Sequence, residues 1–165
     1  MDSSTMVGWS EFLTAAAGSA AALAGLLFVA ISINLARVIE IPGVSGRAGE
    51  AIILLSGTLA STLAALIPHL AAAQLGVALL VIAAPTWFGP MVMQARSIRT
   101  RTYVRPSYAI SRALLHQAAT VPGMLAGLSL IGLLPGGLTW LAVGAIVSML
   151  VAIHSAWVLL VEILR

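Results

Sequence analysis

Residues 12–35 read FLTAAAGSAAALAGLLFVAISINL, from Phe12 to Leu35, without one charged side chain. A helix crosses the hydrocarbon of a bilayer with about 20 apolar residues. In lipid every backbone N–H and C=O must find its partner within the protein, and the α-helix satisfies them all inside one segment. This stretch therefore reads as a membrane span.

The same criterion applied outward gives four more spans, at about 51–67, 70–93, 109–134 and 138–164. The breaks between them carry Pro and Gly, which interrupt helices: Pro42-Gly43, then Pro68-His69, then Pro135-Gly136-Gly137. The last two links are short, so their flanking helices should pack as antiparallel hairpins. The expected fold is all-α, a single transmembrane domain over residues 1–165 built as a bundle of five helices. Pro85 and Pro90 lie inside the third span. Each removes a backbone donor, so a kink is expected there, as a packing feature or as a hinge.

Composition points the same way. The chain is 61% hydrophobic and 8% charged, against roughly 25% charged in soluble domains. So few charges cannot cover a water-soluble fold. There is no cysteine, which excludes disulfides, thiolate metal sites and cysteine nucleophiles.

Charge placement sets the expected orientation. All eight basic residues are Arg, and the net charge is +3. With five spans, Arg37, Arg47, Arg96, Arg99, Arg101, Arg105, Arg112 and Arg165 all fall on one side. Four or six spans would break that segregation. The positive-inside rule makes this side cytoplasmic, with the N-terminus outside and the C-terminus inside. The first Arg is Arg37, so the first span has no basic flank ahead of it and is not expected to be a cleaved signal. Arg96, Arg99, Arg101 and Arg105 lie in the longest polar stretch, Gln94 to Arg112, which is a plain positive-inside loop or a site for anionic lipid headgroups or a cytoplasmic partner, rather than for nucleic acid. Trp9, Phe12 and Trp140 are expected at the outer boundary, and Trp87, Phe88, Tyr108 and Trp157 near the inner one.

Small residues repeat at helical spacing. Candidate packing positions are Gly18 and Gly25 in the first span and Gly57 in the second. Gly123 and Gly127 in the fourth form a literal GxxxG, and Gly144 lies in the fifth. Lipid is as apolar as Leu, so membrane helices associate through such close approaches. The partner is either another helix of the same bundle or another protein: a second copy of the chain or a larger membrane protein.

Polar residues inside a span are functional candidates. His116, Gln117, His154, Ser32, Asn34 and Glu162 share the inner third of the expected bilayer. Together they would bind a ligand, a proton or an ion, as in an oligomeric channel or small transporter. Separately they would make interhelical hydrogen bonds, with Glu162 pairing Arg37 or Arg112. Glu11, Glu40 and Glu50 read as interfacial. No metal-ligand spacing, cofactor motif, nucleophile–base pair or paired carboxylates is present, so neither catalysis nor a cofactor is expected.

Trp9-Ser10-Glu11-Phe12, the run from Ala20 to Gly25, and Leu26-Leu27-Phe28-Val29-Ala30-Ile31-Ser32-Ile33-Asn34-Leu35 resemble the first helix of small bacterial multi-span proteins. Some members of that group are labelled modulators of the membrane protease FtsH. The resemblance implies a bacterial inner-membrane protein with a regulatory partner, and it assigns no functional residue.

Overall fold

The computed structural model describes residues 3–41, 43–99 and 106–164. Its elements are α1 (Ser3–Ile33), α2 (Leu35–Glu40), α3 (Val44–Ala65), α4 (Ala72–Arg99), α5 (Pro106–Leu130) and α6 (Leu138–Leu164). The described residues contain no strand, and five of the helices are long and apolar enough to cross a membrane.

Neighbours along the chain run antiparallel. At one end of α3 Gly49 meets Met93, and further along Gly57 meets Thr86. Gly76 of α4 meets Gly127 and Ile131 of α5. Gly144 of α6 meets Gly123, while Ser148 meets Ala119. Trp9, Phe12 and Leu13 of α1 pack beside Ala64–Leu66 at the far end of α3. Arg37, Arg47, Arg96, Arg99 and Arg112 consequently gather at one end of the bundle, and His69 lies at the other.

α3 packs on α1, α4 and α6, and α5 packs on α4 and α6. Helices α3 to α6 thus form a four-helix bundle with α3 and α5 on a diagonal. α1 lies outside it, against α3 and more lightly against α6. The Arg-poor half is filled by Leu13, Leu75, Leu79, Ala126 and Leu141. The Arg-rich half of the α1–α3–α6 contact is filled by Leu27, Val44, Ala48, Leu55 and Leu159. Large apolar side chains also point outward. Leu26, Phe28, Val81, Leu114 and Leu150 are each more than half exposed. Such a surface is sheltered by lipid and not by water.

Several helix ends differ from the sequence expectation, each for a local reason. α1 begins at Ser3, not Phe12, because hydropathy marks where lipid starts and nothing before Phe12 breaks a helix. Its 31 residues span about 46 Å at 1.5 Å per residue, well beyond a hydrocarbon core of about 30 Å. α1 stops at Ile33 and not Leu35. There the side chains of Ser32 and Asn34 donate to the carbonyls of Phe28 (2.8 Å) and Ala30 (2.9 Å), competing with the helix ladder. α3 begins at Val44, seven residues before Ala51, straight after Gly43 in the left-handed region (φ 88°). α4 starts at Ala72, two residues after Leu70, and runs unbroken through Pro85 and Pro90 to Arg99 instead of ending at Met93. α5 ends at Leu130 instead of Leu134. The Leu133 N–H bonds the Leu128 carbonyl and the Gly132 N–H bonds the Ser129 carbonyl, with Gly132 at φ 90°. This is a Schellman cap, which a glycine can adopt at least cost.

The aromatic residues divide. Trp9 and Phe12 meet edge-to-face at 6.1 Å, and the Trp140 indole donates to the Pro135 carbonyl, at the Arg-poor end. Trp87 donates its indole N–H to Gln117 at 2.8 Å, across the contact between α4 and α5.

Candidate functional site

At the Arg-rich end, α3 and α5 are joined across the bundle diagonal by an ion pair. Arg112 Nε donates to Glu50 Oε2 at 2.7 Å, with the side chains 11% and 9% exposed. Glu50 is therefore buried inside the bundle and pairs with Arg112. The expected partner, Glu162, lies on α6 with its side chain outside the described atoms. The signal for Glu50 was available in the sequence. Val44, Ala48, Ala51 and Leu55 form one helical stripe starting before residue 50, and all four are buried. Glu50 thus belongs to a buried helix rather than a loop.

One turn beyond Arg112, on the same face of α5, stands His116, 4% exposed. Its Nε2 lies 3.1 Å from the Trp87 carbonyl oxygen. A carbonyl only accepts, so Nε2 carries the proton. In the neutral ring Nδ1 is then a bare lone pair. Nδ1 has no hydrogen-bond partner among the described residues, and neither has Glu50 Oε1. Gln117, the next residue, faces away toward Trp87.

His154 on α6 joins His116, Glu50, Arg112 and Arg47 around a cavity of about 80 Å³. A second cavity, about 40 Å³, continues toward the middle of the bundle. It is lined by small and hydroxyl-bearing side chains, among them Thr58, Thr86, Thr120 and Ser148. Leu54 borders both. Leu75 and Leu79 pack with Leu141 beyond it, closing the Arg-poor half.

The six polar residues singled out in the sequence are thus only partly brought together. His116 and His154 share one cavity, while Ser32 and Asn34 stand apart from it. Asn34 borders an apolar cavity of about 560 Å³ between α1 and α6, lined by Leu23, Leu27, Ile31, Leu55 and Ala156 with Trp157. Among the described residues no three of His, Cys, Asp and Glu gather to hold a metal. Arg96 and Arg99 are exposed on the last turn of α4, and Arg101 and Arg105 lie outside the described residues.

The glycines separate into two groups. A Cβ at Gly57 would stand 2.6 Å from Thr86 Oγ1. At Gly127 it would stand 2.7 Å from Leu80 and 2.9 Å from the Gly76 carbonyl oxygen, and at Gly144 3.2 Å from the Gly123 nitrogen. These positions hold the bundle together, and Gly76, which the sequence reading passed over, belongs with them. Gly123 has open space at its own Cβ and serves as the surface Gly144 rests on. Gly18 and Gly25 meet nothing within 4 Å. They are exposed on the side of α1 opposite Leu13, Ala20 and Leu27, which are buried. Only 22% of the α1 span is buried, the least of the five, so most of its surface serves no internal contact.

No family model matches this chain, and neither a curated protein nor a solved structure is similar to it. The fold itself defines the class: a multi-pass, all-helical membrane protein, four helices bundled and a fifth laid against them.

Proposed function

We propose that the protein acts in a bacterial inner membrane by helix association, with the outward face of α1 as the docking surface for a second copy or for a larger membrane protein. The observation that carries this is the contrast among glycines. Gly57, Gly76, Gly127 and Gly144 are occupied within the bundle, whereas Gly18 and Gly25 offer the same close-approach surface to nothing inside it. Side-chain-free positions in a membrane helix let another backbone come near. The resemblance of residues 9–35 to proteins labelled FtsH modulators falls on this same helix and supports a regulatory role without catalysis.

The test is native mass measurement and crosslinking in lipid, comparing wild type with Gly18→Leu/Gly25→Leu. Wild type is expected to form an oligomer or retain one partner, and the variant to lose it while melting at the same temperature. A wild type that is monomeric and partnerless overturns the reading, as does a variant that associates like wild type.

A second reading, a channel or small transporter, has one specific observation in its favour: two cavities follow one another inside α3–α6, one lined by ionisable and one by hydroxyl groups. Selective solute flux in proteoliposomes would favour it over association alone.

A further inference from the structure

The larger of those two cavities has a chemistry that association does not use. We infer that His116 is a proton-binding site, reached by water from the Arg-rich end, with its charge linked to the Glu50–Arg112 pair. The Trp87 carbonyl fixes the imidazole by accepting from Nε2. This leaves the basic Nδ1 lone pair without a partner in a side chain that is more than nine-tenths buried. Glu50 Oε1 is a second such atom, also in a side chain of that burial class. Buried acceptors of this kind are normally satisfied by protein or ordered water. The cavity both residues line holds about 80 Å³, room for at least two waters at about 30 Å³ each.

The groups around the imidazole come from every helix packed on it. α3 supplies Arg47 and Glu50, α5 supplies Arg112, and α6 supplies His154. α4 supplies the neutral Trp87 carbonyl, and its nearest charge, Arg96, is nine residues further on. Glu162 lies two turns beyond His154 on α6. Protonation is a single transfer. A hydronium gives its proton to the Nδ1 lone pair and becomes water, and the Nε2–H stays on the Trp87 carbonyl. The imidazolium then stands one turn from Arg112 on the same helix face and competes with it for Glu50. Proton uptake at α5 thereby loosens the tie between α5 and α3.

Histidine ring ¹⁵N resonances report the tautomer and the protonation directly. The full-length protein is labelled at His69, His116 and His154 and measured in lipid nanodiscs across pH. His116 is assigned by its loss in His116→Gln, or in His69→Gln/His154→Gln, where it is the only histidine left. The neutral ring is expected as the Nε2–H tautomer, exchanging protons with water and titrating reversibly to the doubly protonated form. Glu50→Gln removes the carboxylate that steadies the imidazolium and leaves Arg112 opposing it. The titration of the variant should then be displaced from that of wild type. An Nδ1–H tautomer, a ring that takes up no second proton as the pH is lowered, or a Glu50→Gln curve coinciding with wild type would each overturn the inference.

Discussion

Gly18 and Gly127 are the same residue type in the same kind of apolar helix, yet the structure assigns them opposite demands. A Cβ at Gly127 collides with Leu80 and with the Gly76 backbone, whereas one at Gly18 meets open space. Gly127→Leu must push α4 and α5 apart, and overpacking of this kind typically costs about 1–3 kcal/mol or more. Gly18→Leu should cost nothing, since helix propensity favours Leu over Gly. Thermal unfolding of the two variants in one detergent should separate them by several degrees; coincident curves would contradict the packing described. Glu50 and Arg112 make a second residue-scale case. Each is desolvated and each answers the other. Removing one leaves a buried charge, at a cost of about 3–5 kcal/mol. Removing both together, as Glu50→Leu/Arg112→Leu, should recover most of that. Unfolding free energies of the two single variants and the pair form the cycle that checks it.

Among the elements, the existence of the five long helices was legible from apolar length alone, and α6 was legible to its boundaries. What hydropathy misplaced were ends set by other physics. The α3 start follows Gly43 and carries Arg47 and Glu50, charges that a search for apolar runs discards even when Glu50 is paired with Arg112 inside the bundle. The α5 end follows the Schellman cap at Gly132, and Pro135 behind it is only the more conspicuous breaker. Gly132→Val would force a β-branched side chain into a left-handed backbone. It should lower stability by about 1–2 kcal/mol, read as a fall in unfolding midpoint. An unchanged midpoint would mean that the cap is not needed. The candidate site was legible in part for the same reason. Residue type and depth select His116 and His154, but only packing reveals that Ser32 and Asn34 bond their own helix and that Gln117 serves Trp87.

At the scale of the whole molecule, the account rests on lipid surrounding five spans that place every arginine on one side. The gathering of Arg37, Arg47, Arg96, Arg99 and Arg112 at one end of the bundle follows from the antiparallel packing. We propose that this end faces the cytoplasm, as the positive-inside rule implies. The absence of cysteine makes the decisive measurement clean. Single substitutions Ser45→Cys, His69→Cys, Arg99→Cys and Leu133→Cys are labelled in intact cells with a membrane-impermeant maleimide. The account predicts labelling at 69 and 133 from outside, and at 45 and 99 only after the membrane is opened. Labelling of positions 69 and 99 from the same side would contradict it.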